Sequence, residues 1–366
     1  MTAESTLAAT AQRMVAPGKG IFAADVPLKG LMRGWWGESI HARSEDAAAD
    51  FQEMICRTPE LGDHLSSIIV FPDVLDRRAG DGTPLADLIA QRGLLLGITP
   101  TTGWQFLGGS KHEYVPRGLD GLAKRLEDWR ERGVAFIKWR VAARVRPGLP
   151  TERALVSNAR SVAEVAALAH QFDLVPIVEP EVEMKGDHTI ERQFEVTERF
   201  LHRTFEALYE HGVAPEEIVL KTNMVVSGSD CPEQAGVDTV ARETLRCLRR
   251  VVPPALPGIG FLSGGQSDRD ATAHLDAMNR LDPQPWSLSF SFGRAIGRAP
   301  VEAWDGKADE SSGQTALRHR ARMNGLATLG EWSAEMESGT EDGREPESGG
   351  RKTPGHKTPG RETERP

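Results

Sequence analysis

The chain contains few cysteines and no recognisable metal-ligand spacing. Its 366 residues include only Cys56, Cys231 and Cys247, an odd number with no Cys-x-x-Cys pair. This pattern indicates neither a disulfide framework nor a structural zinc site. None of the ten histidines falls in a ligand spacing either, so we expect no metal. Reduced thiols in a cytoplasmic protein are the expectation that follows.

Long apolar runs and an excess of basic charge are also missing. Glu4 and Arg13 interrupt the apolar stretches between Met1 and Ala16, so the N-terminus lacks the apolar region of a signal peptide. No run approaches the length that spans a membrane. The chain has 44 basic and 53 acidic residues and no dense basic stretch in its body, which indicates no surface for nucleic acid. We therefore expect neither membrane nor nucleic acid as a partner, whereas a phosphorylated small molecule would need only a local cluster of donors.

Apolar runs of strand length alternate with amphipathic, helix-like stretches along the chain. Eight such runs occur, at Gly20–Ala24, Ser67–Phe71, Leu94–Ile98, Ala135–Trp139, Leu174–Val178, Ile218–Lys221, Gly258–Leu262 and Ser287–Phe290. Helices are predicted between them, for example at Glu152–Gln171 with Thr151 as its cap and at Ile190–Glu210. This alternation predicts a single (β/α)8 TIM barrel of the α/β class.

The ends of the chain differ in composition from its body. After Trp332 the residues are mainly Glu, Gly, Ser, Arg, Lys and Pro, and they end in a duplicated Lys-Thr-Pro-Gly. Such a segment cannot bury enough apolar surface to offset chain entropy, so we expect it to be disordered. The predicted organisation is an N-terminal arm at residues 1–17, the barrel at residues 18–333 and a disordered tail at residues 334–366.

Chemically reactive side chains recur where the predicted strands end. Barrel enzymes build their active sites at the carboxyl ends of the strands, so these positions are candidates for function. Six of the strands end in such a residue, namely Asp25, Lys138, Glu179, Lys221, Ser263 and Arg294.

Two of these candidates are lysines that close apolar strands, Lys221 and Lys138. On its own, such a lysine is most simply a partly exposed member of a structural ion pair. A poorly solvated ammonium group near other cations, however, loses its proton more easily and becomes nucleophilic toward a carbonyl carbon. The pair of lysines therefore favours the chemistry of an enzyme that forms a Schiff base.

Seven ordered segments carry a family resemblance that runs from about Gly18 to Trp332. The chain resembles a class I fructose-bisphosphate aldolase of the animal and plant type. The segments are GKGIFAAD (Gly18–Asp25), GLDGLAKR (Gly118–Arg125), FIKWR (Phe136–Arg140), VPIVEPE (Val175–Glu181), VLKTNM (Val219–Met224), FLSGGQS (Phe261–Ser267) and SFSFGRA (Ser289–Ala295). The resemblance implies a homo-oligomer, tetrameric or dimeric. In the family a terminal tyrosine assists proton transfer, but no tyrosine follows Tyr209 here.

The resemblance implies how the reaction is divided among the strand-end residues. Lys221 would form an imine with the ketone carbon, and the protonated imine would accept electrons as the neighbouring carbon–carbon bond breaks. Glu179 would be the general acid and base for dehydration of the carbinolamine. Glu181 points the same way along an extended chain and is expected to orient Glu179. The other interpretation of this carboxylate pair is that it binds neighbouring Lys and Arg side chains.

Further roles follow from the same resemblance. Asp25 matches the family aspartate that bonds substrate hydroxyls and assists proton movement at the bond being broken. Lys138 and Arg140 alternate with Trp139, so both project to one side of the strand. Their positive field would keep Lys221 neutral and attract a substrate phosphate. The glycine-rich turns after strands seven and eight match the family's site for the phosphate of dihydroxyacetone phosphate, to which the substrate-binding candidates Ser263, Gly264, Ser291, Gly293 and Arg294 belong.

The part of the pattern that binds the second phosphate is altered. An alignment without gaps from Asp25 puts Val26, Pro27 and Gly30 where the family carries a glutamate and two serines, and Thr99 where it carries a lysine. The two serines and the lysine, which are three candidate phosphate ligands, are thus absent together. The tryptophans Trp35, Trp36 and Trp104 lie in nearby loops and either pack there or meet a ring-bearing acceptor. Lys29 and Arg33 are the alternatives that would restore phosphate binding.

The sequence therefore predicts an aldolase-type carbon–carbon lyase with dihydroxyacetone phosphate as ketone donor. The altered site favours an acceptor aldehyde without phosphate, in a specialised biosynthetic pathway. An ordinary glycolytic fructose-bisphosphate aldolase is the first alternative. A non-catalytic aldolase-like scaffold is the second, against which the intact Lys221, Lys138, Glu179 and Asp25 speak.

Overall fold

The computed structural model of the chain describes residues 5–25 and 45–338. Eight parallel strands close into a barrel in the order β1-β10-β9-β8-β7-β6-β3-β2. These strands are β1 (Gly20–Ala23), β2 (Leu65–Val70), β3 (Leu95–Ile98), β6 (Phe136–Ala143), β7 (Val175–Val182), β8 (Val219–Thr222), β9 (Gly258–Phe261) and β10 (Ser287–Phe292). Each apolar run of the sequence falls on one of them. The predicted (β/α)8 fold is confirmed.

Helices cover the outside of the barrel. They are α1 (Thr6–Met14), α2 (Glu45–Arg57), α3 (Leu61–His64), α4 (Leu85–Gln91), α5 (Leu122–Glu131), α6 (Glu152–His170), α7 (Ile190–Glu210), α8 (Val237–Val251), α9 (Asp268–Asn279), α10 (Arg294–Trp304) and α11 (Ser311–Ala327). Thr151 caps α6 by accepting a hydrogen bond from the Ala154 amide at 3.2 Å. No helix in the described part of the chain is both long enough and apolar enough to cross a membrane.

The N-terminal helix α1 plugs the amino end of the barrel. Ala11, Met14 and Val15 are buried against apolar side chains from the first residues of several strands. Gly258, which begins β9, leaves the necessary room, because an added Cβ there would lie 2.6 Å from Val15 Cγ2. A side chain at that position would collide with the plug. The described part of the predicted arm is therefore packed into the barrel core.

A two-stranded antiparallel hairpin interrupts the β/α alternation after β3. Its strands are β4 (Gly103–Phe106) and β5 (Tyr114–Arg117). The sequence analysis placed Trp104 of this stretch in a loop, and each strand of the hairpin has only four residues. Gly103, which begins β4, has a φ angle of +120°. The hairpin exposes 40% of Trp104 and 59% of Phe106. It stands at the carboxyl end of the barrel, where β3 and β6 end.

Residues at the C-terminal limit of the described chain are ordered by a buried ion pair. Ala334–Ser338, the first residues after the predicted barrel boundary at residue 333, form a 3-10 helix. The Glu337 carboxylate receives two hydrogen bonds from Arg320 Nη1 of α11, at 2.6 and 2.7 Å, and both side chains are about 5% exposed or less. Trp332 Nε1 also donates to Glu337, at 3.1 Å. Composition could not reveal this contact, and residues 339–366 lie outside the described chain.

We expect Glu337→Gln to lower the midpoint of thermal unfolding at pH 7 by roughly 5 °C or more, since removing one partner of a buried pair leaves the other charge uncompensated. Burial would raise the pKa of Glu337, but hydrogen bonds from His319 and Arg320 outweigh it and lower the pKa to about 2. The pair therefore stabilises the fold above the ordinary carboxyl pKa of 4.5, and its contribution is lost as the pH falls toward 2.

The matched control for this prediction is Glu335→Gln, in the same 3-10 helix but exposed. Calorimetry of both variants between pH 7 and pH 3 would test it. The deficit of Glu337→Gln relative to the wild type should shrink as the solution is acidified. Equal midpoints for the two variants at pH 7 would contradict a stabilising role for the ion pair.

Candidate active site

A cavity of about 420 Å³ opens at the carboxyl end of the barrel. Nine of the eleven residues predicted for the site line it, namely Asp25, Lys138, Arg140, Glu181, Lys221, Ser263, Gly264, Gly293 and Arg294. The other two, Glu179 and Ser291, are buried beneath it at 3% and 1% exposure. Phe71, Thr99, Thr101 and Trp104 complete most of the wall. The structure thus brings the strand-end residues together in one place.

The register of neighbouring strands sets which side chains meet. Arg140 of β6 lies beside Glu179 of β7, and Lys138 lies two residues earlier on the same side of its strand. Val178 of β7 pairs with Leu220 of β8. One step further along this register, Glu179 therefore lies beside Lys221. A carboxylate between two strands that each carry a lysine is a consequence of this alignment.

Four buried charges form a row of alternating sign across the cavity floor. Lys138 Nζ lies 2.5 Å from Asp25 Oδ2 and 3.3 Å from Glu179 Oε2. Lys221 Nζ lies 3.2 Å from the other Glu179 oxygen, Oε1. None of these four side chains is more than 8% exposed. Each buried charge has an opposite neighbour, which is the condition under which such groups are tolerated inside a protein.

The two lysines of this row are perturbed in opposite directions. Burial and the nearby Lys138 ammonium lower the pKa of Lys221, although Glu179 opposes the shift. For Lys138 burial acts the same way, but Asp25 and Glu179 outweigh it and raise its pKa. Lys221 is consequently the amine that gives up its proton more readily, while Lys138 remains a cation. The environment separates two chemically identical side chains into a candidate nucleophile and a fixed charge.

Glu181 is paired with Arg140. Its Oε2 accepts a hydrogen bond from Arg140 Nε at 2.5 Å. Two residues along β7 from Glu179, the Glu181 carboxylate stands one step higher in the barrel, where it reaches Arg140 rather than the lysines. This contact agrees with the interpretation in which the carboxylate pair binds neighbouring Lys and Arg side chains, and a role of Glu181 in orienting Glu179 stays a prediction. Glu181 fixes the position of the Arg140 guanidinium at the cavity wall.

Thr99 is a site residue whose partner sequence reasoning missed. It follows β3 directly, is 4% exposed, and donates from Oγ1 to Asp25 Oδ2 at 2.7 Å. The same carboxylate oxygen is held by Lys138 Nζ. In the sequence, the only indication of this contact is that Thr99, like Asp25, follows a predicted strand, so both lie at the same end of the barrel. The hydroxyl that replaces the family lysine is thus engaged with Asp25.

The turns after β9 and β10 form a concave, glycine-rich corner of the cavity. Gly264 and Gly265 adopt positive φ angles of +57° and +105°. Gly293 is the N-cap residue of α10, which begins at Arg294. An added Cβ on Gly265 would lie 3.7 Å from Arg294 Nη2, so the guanidinium stands beside the first turn. Backbone amides at a helix N-terminus together with an arginine suit a phosphate group.

Ser291 lies on β10 next to this corner. Its Oγ is buried and has no hydrogen-bond partner among the described residues. A buried hydroxyl without a partner is costly, so it is available to a substrate oxygen.

Most of the positions that the sequence singled out for the acceptor lie outside the described residues. They are Val26, Pro27, Lys29, Gly30, Arg33, Trp35 and Trp36. Thr99 and Trp104 are described. The Arg140 guanidinium lies over the Trp104 ring, 5.4 Å from its centroid. Within the described ranges, no group of three or more His, Cys, Asp or Glu side chains is placed to hold a metal ion.

Comparison with known proteins agrees with this geometry. Residues 6–346 match the sequence profile of the glycolytic family described as "Fructose-bisphosphate aldolase class-I". The chain is 44% identical to a "Probable fructose-bisphosphate aldolase class 1" of Xanthomonas campestris, over 89% of this chain and 98% of the other. It is 40% identical to "Fructose-bisphosphate aldolase 1" of Toxoplasma gondii, over 89% and 90% of the two chains.

A solved structure is similar over the same extent. It is a ternary complex of the Plasmodium falciparum fructose-bisphosphate aldolase with TRAP and a small-molecule inhibitor. The two chains superpose with a TM-score of 0.87 at 36% identity, over 90% of this chain and 95% of that one. A buried lysine next to a second cation is an arrangement that makes an amine nucleophilic toward a carbonyl carbon. This chain is an aldehyde-lyase and belongs to the class I fructose-bisphosphate aldolase family.

Proposed function

We propose that this chain makes or breaks a carbon–carbon bond through an imine on Lys221, with a phosphorylated ketone as one partner. The observation that carries the proposal is the buried row Asp25, Lys138, Glu179 and Lys221, in which Lys221 is the amine with the lowered pKa. Members of this family act through a Schiff base. A scaffold without catalysis would have no use for four charges buried in one cavity.

The proposed reaction begins with the neutral Lys221 amine. Its lone pair attacks the ketone carbon, and the carbinolamine loses water after Glu179 protonates the departing hydroxyl. In the cleavage direction, the bond between the carbon next to the imine carbon and the hydroxyl-bearing carbon then breaks. Its electron pair moves into the protonated imine to give an enamine. Asp25 accepts the proton of the hydroxyl that becomes the aldehyde.

The Lys138 cation has a positioning role in this reaction. The Lys138 ammonium contacts both Asp25 and Glu179, so it holds the two proton carriers in position.

The imine supplies the electron sink, and we propose that no metal ion or other cofactor takes part. By family membership we also propose a cytoplasmic homo-oligomer, dimeric or tetrameric.

The ketone end of the substrate is assigned to the glycine-rich corner. Ser263, Gly264, Gly293 and Arg294 line this side of the cavity, and Arg294 supplies a guanidinium. Ser291, whose hydroxyl lacks a partner among the described residues, adjoins the corner. We propose dihydroxyacetone phosphate as the donor, with its phosphate on these groups.

The acceptor end supports a proposal that differs from the names of the relatives. Thr99 stands where the family carries a lysine, so this position offers no positive charge to a second phosphate. Its hydroxyl donates a hydrogen bond to Asp25 instead. We propose a non-phosphorylated aldehyde and a specialised pathway. Ordinary glycolytic cleavage of fructose 1,6-bisphosphate is the alternative, which the names of the curated relatives favour.

Borohydride should trap dihydroxyacetone phosphate covalently on Lys221, because reduction converts an imine to a stable secondary amine. Mass spectrometry of the proteolysed wild type should show the adduct on the Lys221 peptide, and Lys221→Ala should show none. Lys138 is the internal comparison, as it is equally buried but remains a cation. An adduct on Lys138, or none on a folded wild type, would disprove the imine assignment.

Arg294→Ala should lower kcat/KM for the phosphorylated ketone by roughly 10- to 100-fold, the effect of losing one charge-assisted contact. The matched control is Arg298→Ala, one turn later on α10, where the arginine pairs with Glu302 at the surface. The control should retain wild-type kinetics. If both variants behave like the wild type, Arg294 does not bind the donor phosphate.

The wild type should cleave fructose 1,6-bisphosphate with little advantage over fructose 1-phosphate, since the distal phosphate meets no lysine at Thr99. The ratio of the two kcat/KM values is the measurement. Thr99→Lys should raise this ratio about tenfold by adding one charged contact. The loss of the hydrogen bond to Asp25 should slow both substrates alike and cancel in the ratio. A wild-type preference of several hundred-fold for the bisphosphate would favour the glycolytic alternative.

A further inference from the structure

A second cavity of about 330 Å³ lies beside the active-site cavity. Trp104 and Arg140 line both cavities and so form the partition between them. The remaining walls come from the hairpin, the end of β6 and the start of α6. We call this second cavity the annex; its other lining residues are His112, Glu113, Tyr114, Ala142, Ala143, Arg144, Pro150, Ala154 and Glu183.

One wall of the annex is aromatic. In the register of the hairpin, Trp104 lies opposite Pro116 and Phe106 opposite Tyr114, so these four side chains share one face. Trp104 and Tyr114 of this face line the annex. The Phe106 and Tyr114 rings stack with centroids 4.8 Å apart. An exposed aromatic face that borders a cavity marks a binding surface for an apolar group.

The lining of the annex also includes small aliphatic residues. Ala142 and Ala143 end β6, Ala154 lies in the first turn of α6, and Pro150 precedes that helix. Alanines leave open the space that larger side chains would fill. A flat group in the annex can therefore contact aromatic and aliphatic side chains together.

The charged groups of the annex are already paired with one another. Arg140 Nε is bound to Glu181 at 2.5 Å, and Arg144 Nε to Glu183 at 2.9 Å. The Arg144 guanidinium also lies over the Tyr114 ring, 4.9 Å from its centroid. Each arginine charge is thus balanced by a carboxylate, and Glu113 adds a further negative charge to the lining. The annex therefore favours a neutral ligand over a phosphate or carboxylate.

Glu113 is paired as well. Its carboxylate accepts hydrogen bonds from the Thr151 amide at 2.7 Å and from the Thr151 hydroxyl at 2.9 and 3.0 Å. This contact ties the hairpin loop to the N-terminus of α6 and fixes the shape of the annex.

We infer that the annex binds the non-reacting end of the acceptor aldehyde, and that this end is a neutral aromatic or heteroaromatic ring. The inference rests on the proposed imine chemistry, which places the acceptor carbonyl in the neighbouring cavity beside Lys221. An apolar cavity of about 150 Å³ holds one benzene ring, so about 330 Å³ accommodates one or two fused rings. Because the partition stands between the cavities, ring and carbonyl must be joined by a short flexible link.

The test compares two aldehydes that differ only in the ring, 3-phenylpropanal and propanal. In the aldol addition of dihydroxyacetone phosphate, the enamine carbon forms a bond to the aldehyde carbon, and the resulting alkoxide takes a proton. The ring should raise kcat/KM about tenfold or more, through KM, by burying apolar surface. Ala142→Leu should abolish this advantage by filling the annex and leave propanal unchanged.

Tyr114→Ala provides a second variant that acts by removing wall rather than adding bulk. It should reduce the ring advantage severalfold. Tyr209→Ala is its matched control, since Tyr209 is 84% exposed on α7 and lies outside both cavities. The control should keep the wild-type ratio. An equal kcat/KM for both aldehydes in the wild type would overturn the annex as an acceptor subsite.

A binding measurement separates failure of the annex from failure of the imine proposal. The probe is 3-phenylpropan-1-ol, which cannot react, observed by saturation-transfer NMR. It should bind the wild type and Lys221→Ala equally and bind Ala142→Leu at least tenfold more weakly. If neither aldehyde reacts and borohydride traps no adduct on Lys221 but this binding pattern holds, the imine proposal fails and the ring site stands. Undiminished binding to Ala142→Leu would overturn the ring site, whatever the aldol activity.

Discussion

Four charges held out of water in a fixed alternating order are the constraint on which the site depends. Lys138, Glu179 and Lys221 come from three strands and Asp25 from the segment that follows β1, so each lies correctly only if the barrel closes in register. The attraction between neighbours offsets the cost of burying them. It also makes the two cations of the row unlike. Lys138 in the middle contacts two carboxylates, whereas Lys221 at the end contacts one and has the lowered pKa that suits the proposed nucleophile.

The loops around this row differ in character from one side of the cavity to the other. The turns after β9 and β10 keep a corner suited to phosphate, while the region after β3 carries an aromatic hairpin and a threonine that binds Asp25. Barrels separate stability from specificity in this way, because strands set the reacting groups and loops set the ligand. Arg140 connects the strands with the hairpin, because Glu181 of β7 holds its guanidinium and the same guanidinium lies over the Trp104 ring.

The sequence predicted the features that repeat along the chain. Strand runs ending in reactive residues located Lys138, Glu179 and Lys221, because an apolar run and the residue that closes it are local patterns. Contacts between distant segments could not be predicted this way. Glu181 binds Arg140 because of an inter-strand register, Thr99 reaches Asp25 across 74 residues, and Glu337 finds Arg320 inside a stretch of tail-like composition. Four-residue strands carry too little periodicity to reveal the hairpin.

The plug formed by α1 has a consequence for how the chain is made. Met14 and Val15 are translated long before the residues that bury them, because their cluster includes Val219 and Val15 needs the space at Gly258. Strand β1 likewise can close the barrel only after β10 has been synthesised, because these two strands pair. These contacts span most of the polypeptide, which slows folding and keeps apolar surface exposed during synthesis. Helix α1 is thus translated early but buried late, which gives chaperones time to bind it.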